Sequence, residues 1–407
     1  MPVNIEGIVS SGLCTQCGTC VALCPRGAIA AEWSLGSGYL MHVDPALCND
    51  CGICVDVCPG EGLDFTRTAW WREENEGAPF QDFLGPWRRL HIGWASDEQT
   101  RYRGASGGLA TAILQGAFAH GLIDAAIVCR MDPENPLRVE SLIARTAEEI
   151  AECRGSKYNV AATNTLLRRV LNQPGRYALV GLPCHIQGLR LAQARNERLR
   201  ERVAFTLGIF CASSFKPRAT EVETLRAGLD PRQLARVSYR GPGWPGPLHL
   251  ETRAGDVSES ELSAYFTRFV RGSSLPRCRL CPDALSELAD LSVGDTWLPR
   301  YEGTSGVSDL VIRTPRGERL IDTIAPDWLT LLDSTSAEIL QTQEETRQMK
   351  RARYRGRMWL RRLSGRPVPR NPGIPPDPSL GDIWVAMKDL AGEARGYIDG
   401  RRYPSRG

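Results

Sequence analysis

The sequence predicts an α/β core, in which a mixed sheet is covered by helices, preceded by a small N-terminal α+β domain. Three observations carry that prediction. One cysteine run occurs twice between residues 14 and 59, strand-like runs alternate with helical stretches from residue 96 onward, and a Trp-rich stretch containing Gly and Pro separates the two regions. A chain of 407 residues has room for two or three domains.

The formal net charge is only +3 and the aromatic residues do not alternate with basic ones, so composition makes no case for nucleic acid. The longest apolar region, Leu109 to Cys129, is broken by Gln115, His120 and Asp124 and reads as helix, turn and strand, with no membrane span. No charged start with an apolar segment and a small-residue cleavage site opens the sequence. Fourteen cysteines then point to metal or redox chemistry in a reducing, cytoplasmic compartment.

Residues 14–25 read CTQCGTCVALCP and residues 48–59 read CNDCGICVDVCP, the same C-x2-C-x2-C-x3-C-P pattern. The first three cysteines of such a run wrap one 4Fe-4S cubane, and the fourth crosses to a second. Cys14, Cys17, Cys20 and Cys58 are therefore expected to hold one cluster, and Cys48, Cys51, Cys54 and Cys24 the other. Paired zinc sites or a disulfide scaffold are the alternatives, and the doubled spacing argues against both. Over residues 8–68 the chain resembles bacterial-type ferredoxins, which implies a two-cluster ferredoxin-like domain at 1–68 that relays single electrons.

Residues 69–95 mix tryptophans, charges, Gly and Pro without a period and read as a linker. The core domain follows at 96–335, with a helix over Gly107 to His120, strands at Ala125 to Cys129, 177–182 and 203–211, and a helix near Gln187. Residues 336–407 form a basic, Pro-rich extension. Its arginine-dense stretch, 347–370, suits either a solvated helix or a docking surface for an acidic partner or an anionic cofactor.

GASGG at 104–108 matches the G-x-S-x-G nucleophile pattern, but no apolar strand precedes it, which argues against a hydrolase. Small residues at a helix start also let backbone N–H groups approach an anion, with the Ser106 and Thr111 hydroxyls beside them, as a flavin nucleotide's phosphates require. A plain helix cap is the competing reading. No G-x-G-x-x-G follows a strand, so a Rossmann nicotinamide site has no support.

Six cysteines lie outside the repeat. Cys129 reads as a core residue and Cys153 as a loop cysteine beside basic residues. Cys184 and Cys211 each end an expected core strand, where α/β sheets gather ligands, and Cys278 and Cys281 share one loop. The four are expected to make a third 4Fe-4S site. A zinc site on the same ligands, or no site at all, are the other readings.

The stretches RGASGGLATAIL, RGSKYNVAATN, VGLPCHIQGLR, GIFCAS and PRCRLCPDALSELADLSVGDTW, in this order over residues 92–330, resemble the beta subunits of coenzyme F420 hydrogenases and dehydrogenases. The resemblance implies FAD near Ser106, Gly107, Gly108, Lys157, Tyr158 and Pro183, beside a cluster on Cys184, Cys211, Cys278 and Cys281. SKY at 156–158 departs from the His-Cys pair of several archaeal members, which leaves the substrate open between F420 and another conjugated compound.

Two catalytic roles are expected: Lys157 stabilising negative charge on a reduced flavin, and His185 donating a proton. Asp295 is expected to fix a loop at the site. The function these features predict is an iron–sulfur flavoprotein oxidoreductase, with three 4Fe-4S clusters and FAD, passing electrons between the clusters and a two-electron small-molecule substrate. The alternative is an electron-transfer subunit that serves a redox partner protein or ferredoxin and has no substrate of its own. A membrane-surface or RNA-binding module is a third, weaker reading, and the sequence leaves an oligomer open.

Overall fold

In the computed structural model, residues 4–64, 74–371, 377–401 and 403 are described. The expected linker residues 69–73, and residues 372–376 of the Pro-rich stretch, lie outside them.

The N-terminal module pairs β1 (Ile29–Ser34) with β2 (Gly38–Val43) as an antiparallel ribbon, and places the short helices Thr19–Leu23 and Ile53–Asp56 beside it. Each helix starts at a glycine after the second cysteine of its run, Gly18 at φ +86° and Gly52 at φ +76°, a left-handed backbone that favours glycine. The residue before that cysteine is left-handed in both copies as well, Gln16 at +61° and Asp50 at +52°. The two halves of the repeat thus share one loop shape.

A small ribbon, β3 (Phe80–Gln81) with β4 (Gly85–Pro86), leads into the core. The core sheet contains β5 (Arg89–Ala95), β6 (Ala125–Met131), β7 (Val139–Ala144), β8 (Tyr177–Gly181) and β9 (Val203–Ile209). After β10 (Leu234–Ser238), β11 (Leu248–Thr252) and β12 (Val257–Ser260), which form their own three-stranded antiparallel sheet, it is completed by β13 (Leu291–Asp295), β14 (Ser308–Ile312) and β15 (Leu329–Asp333). The order is β15-β5-β14-β13-β9-β8-β6-β7. The run β13-β9-β8-β6 is parallel and the outer pairings are antiparallel, so the expected mixed sheet is present. Helices Leu109–Ala119 and Pro315–Trp328 supply Ile113, Ala117, Ile321 and Ile324 to one face, and Pro183–Arg195 supplies Ile186 and Leu189 to the other. Both faces of the central strands are therefore apolar.

Two boundaries differ from the sequence reading. The expected linker ends early, because Arg89–Ala95 is a sheet strand: Leu90, Ile92 and Ala95 are buried while Arg89 reaches Glu318 and Asp322. The basic extension is neither a solvated helix nor a free patch. Helices Glu344–Gln348 and Tyr354–Leu363 are joined through a π-helical turn at Met349–Arg353, and the turn and the second helix pack beside the helix Leu380–Arg401. Arg353 and Arg357 pair with Asp389, Arg355 with Asp382, and Arg351 with Asp82. Most of the stretch's positive charge is met inside the molecule.

Among the described residues, no helix is long and apolar enough to cross a membrane.

Candidate functional site

Amide groups point at sulfur in the N-terminal module: Gln16 N–H donates to Cys14 Sγ, Ala28 N–H to Cys24 Sγ and Gly60 N–H to Cys58 Sγ, each at 3.3 Å. Such bonds favour the thiolate form that iron requires. Cys20 is raised well above the ordinary thiol range by burial, with Cys17, Cys58 and Cys14 as its nearest titrating neighbours. Cys24, Cys48, Cys51 and Cys54 line one small cavity. The eight thiols of the two runs thus lie close to one another in the module.

The cysteines from the core also converge. Burial first, and then the Cys17, Cys278, Cys211 and Cys281 thiols, push Cys184 well above its usual range. Burial carries the Cys211 thiol up to about 12. Cys211 N–H donates to Ala284 O at 2.8 Å, tying the end of β9 to the loop that follows Cys281, and Ser214 N–H faces Cys278 Sγ at 3.5 Å. Cys184 opens the helix that follows β8, so three separate segments meet at one place. Among the described residues no three His, Cys, Asp or Glu side chains come close enough to hold a single ion, and this is as true of the N-terminal module as of the core. The four thiolates of a cubane sit at the corners of a cluster and stand farther apart than the ligands of one ion.

One neighbour of these thiols was not foreseen. Lys350, on the π-helical turn, is only 2% exposed and faces Cys281, Cys211, Cys278 and Asp283. Burial works against its charge, and those four groups outweigh burial and raise its pKa. No signal in the sequence marks it, since it stands in an arginine-rich run far from every cysteine.

Arg277 and Arg279 flank Cys278 and face opposite ways. Buried Arg277 donates to Gly60 O at 3.0 Å and Pro59 O at 3.2 Å, just beyond Cys58, while Arg279 pairs with Glu393 of the C-terminal helix. On the other side, Asn164 Nδ2 donates to Thr19 Oγ1 and to His185 O, each at 2.8 Å, and its N–H donates to Cys17 O at 2.9 Å. The module is clamped on both flanks.

A cleft of about 1240 Å³ opens at the carboxyl ends of the four parallel strands, bounded by Cys129 in the second half of β6, Leu182 after β8, Cys211 after β9 and Asp295 at the end of β13. This is where an α/β sheet presents its ligand sites. Ser106, Gly108, Thr111, Lys157 and Tyr158 line it. Tyr158 stacks among Tyr239, Phe266 and Phe215, and Asp295 holds the far wall by pairing with Arg240 at 2.9 Å and accepting from Trp244 Nε1 at 2.9 Å.

Four residues depart from the sequence reading. Gly107 does not line the cleft: its N–H donates to Ser308 Oγ at 2.9 Å, and a Cβ would lie 2.6 Å from Gly93 O, so its smallness serves packing. Pro183 is the buried first residue of its helix, also outside the cleft. His185 does not face the cleft either. Its Nδ1 accepts from Leu182 N–H at 3.2 Å and its Nε2–H donates to Ala161 O at 3.1 Å, while burial lowers its pKa to about 4. It caps a helix as a neutral imidazole, and its one N–H is committed to Ala161 O. Lys157 does line the cleft, yet its ammonium donates to Cys153 O, Arg154 O and Gly155 O. Its hydrogens are spent on the loop, which leaves it charge alone to offer a ligand.

Comparison with known proteins agrees with this construction. Residues 13–61 match a family described as a 4Fe-4S dicluster domain. Residues 90–168 and 175–335 match the N-terminal and C-terminal family models of the coenzyme F420 hydrogenase/dehydrogenase beta subunit, together more than half of the chain. The chain belongs to this family of beta subunits. This family member carries an iron–sulfur module in front of the family's core, and is thus an iron–sulfur protein of an oxidoreductase family. It is 25% identical over 373 residues to a coenzyme F420-dependent sulfite reductase of Methanocaldococcus jannaschii, covering 88% of this chain but only 52% of that protein. It is 26% identical over 348 residues to an F420H2 dehydrogenase subunit of Methanosarcina mazei, covering 82% of this chain and 88% of that one. A chain of the F420-reducing [NiFe] hydrogenase complex of Methanosarcina barkeri shares the fold, with a TM-score of 0.58 and 22% identity over 72% of this chain and 99% of its own length.

Proposed function

We propose that this member of the family of F420 hydrogenase/dehydrogenase beta subunits is an iron–sulfur flavoprotein that exchanges electrons between three 4Fe-4S clusters and a two-electron substrate held in the cleft. The observation that carries this reading is the convergence of Cys184, Cys211, Cys278 and Cys281 between the Cys17 side of the N-terminal module and the wall of the cleft. Buried neutral thiols next to a buried lysine are an unfavourable pairing, and four thiolates around a metal cluster resolve it.

FAD suits the cleft by its size, by its position at the strand ends, and by the hydroxyls of Ser106 and Thr111 beside the left-handed Gly108. When bound, FAD supplies the conversion between two-electron and one-electron chemistry. Gly108, whose Cβ would lie 2.8 Å from Thr100 O, lets this helix start pack closely against the preceding helix while lining the cleft. Lys157 contributes positive charge, Tyr158 an apolar wall, and the Arg240–Asp295 pair a fixed far side that orients whatever enters. His185 keeps the helix bearing Cys184 in place.

Substrates named for its relatives make F420 or another conjugated compound the substrate class proposed here, and the naming of relatives as subunits supports a redox partner protein or ferredoxin as electron donor or acceptor. Anaerobic reconstitution tests the reading: iron and sulfide sufficient for three cubanes and one equivalent of FAD are expected. Protein complete in its N-terminal clusters but lacking flavin, with an unchanged iron content in Cys278→Ser, would refute it.

A further inference from the structure

Lys350 lies outside the residues matched to the family, which end at 335, and so far has entered only as a neighbour of the thiols, with no role of its own. Its placement is nonetheless costly in two ways. A lysine at 2% exposure loses its hydration, and the helix that carries it widens into a π turn over Met349–Arg353, a local irregularity that commonly marks functional positions. Arg351, next to it, anchors that turn by donating to Asp82 Oδ1 at 2.9 Å and to Pro282 O at 2.7 Å, immediately after Cys281. Lys350 is thereby directed at Cys211, Cys278 and Cys281, while Cys17 of the N-terminal module approaches Cys184.

We propose that Lys350 is a positioning residue whose positive charge sets the reduction potential of the third cluster, holding it higher than an apolar side chain would. This rests on the reading that Cys184, Cys211, Cys278 and Cys281 bind a cubane. A cubane on four thiolates would be an anion in both redox states and would carry one more negative charge when reduced. A buried cation beside it therefore stabilises the reduced form more than the oxidised form. Asp283, the other charged group facing Lys350, opposes this effect, and its carboxylate is held by Gln187 Nε2 at 3.0 Å. Because the site is buried, water screens neither charge well.

The test is a redox titration of the full-length reconstituted chain followed by EPR, with iron quantified in each preparation. The third cluster's signal is identified by its loss in Cys278→Ser. Lys350→Met is expected to keep iron for three cubanes while the third cluster's midpoint moves to a more negative value, and Lys350→Arg is expected to restore it. An unchanged midpoint in iron-replete Lys350→Met overturns the inference. Should Lys350→Met lose the third cluster's iron, Lys350→Arg decides: retention of iron and midpoint supports a role for charge, and loss there too shows that side-chain shape is what the site needs. Wild-type protein holding iron for only two cubanes would remove the third cluster itself, a failure visible before any variant is made.

Discussion

The Arg277 guanidinium donates to Gly60 O at 3.0 Å, joining the residue before Cys278 to the segment just after Cys58. One buried side chain thus links the loop of Cys278 and Cys281 to the N-terminal module. Arg277→Ala strands the carbonyls of Pro59 and Gly60 and should cost about 3 kcal/mol. Urea unfolding and limited proteolysis should show the N-terminal module becoming cleavable before the core. Equal protection of both parts would show that other contacts suffice.

Arg190 and Asp290 form an ion pair at 3.1 Å with both side chains almost wholly buried, and Asp290 also accepts from Thr206 N–H at 2.8 Å and Thr314 Oγ1 at 2.9 Å. Arg190→Leu leaves a buried carboxylate without its cation and should destabilise by about 3–5 kcal/mol. Adding Asp290→Asn should recover part of that loss. A double variant as unstable as the sum of the two single ones would rule out coupling between the side chains.

Burial raises the Asp309 carboxyl from 3.8 to about 7, even though Thr342, Thr296 and Gln343 donate to it. Its folded pKa lies above its unfolded one, so the stability it contributes is present at low pH and lost as pH rises through about 7. Relative to Asp309→Asn, the wild type should lose thermal stability between about pH 4 and about pH 7. Parallel profiles for the two proteins would contradict this. Thr342 and Gln343 also line the cleft, so ligand affinity should follow the same pH dependence.

Cys153 lines the cleft, but burial pushes its thiol up to about 12. Native protein should therefore resist iodoacetamide at this position at about pH 8, where almost no thiolate forms. Mass spectrometry of the peptide containing Cys153 gives the answer, and rapid native alkylation would contradict the buried placement.

What could be read in advance follows from the range of the interactions. The cysteine repeat is local, and its paired left-handed residues, Gln16 with Gly18 and Asp50 with Gly52, recur at equal spacing. Strands β6, β8 and β9 were legible because both of their faces are apolar. Cys184 and Cys211 could be brought together from sequence because strand ends share one edge of a parallel sheet. Strand β5 was hidden, since Arg89, His91 and Trp94 gave it the mixed composition of a connector. The arginine-dense segment was misread because its acidic partners, Asp82, Asp382 and Asp389, come from elsewhere in the chain. Lys350 and Arg277 were invisible for the same reason, and Gly107, Pro183 and His185 were drawn to the cleft by proximity in sequence to residues that do line it.

The clamp formed by Arg277 and Asn164 has a kinetic consequence. An N-terminal module held by side-chain bonds on two flanks cannot swing like a tethered carrier, because its separation from Cys184 is set when the chain folds. Electron hops between the two parts should then be first order and indifferent to solvent viscosity, with diffusion entering only where a partner meets the exposed Cys51 edge.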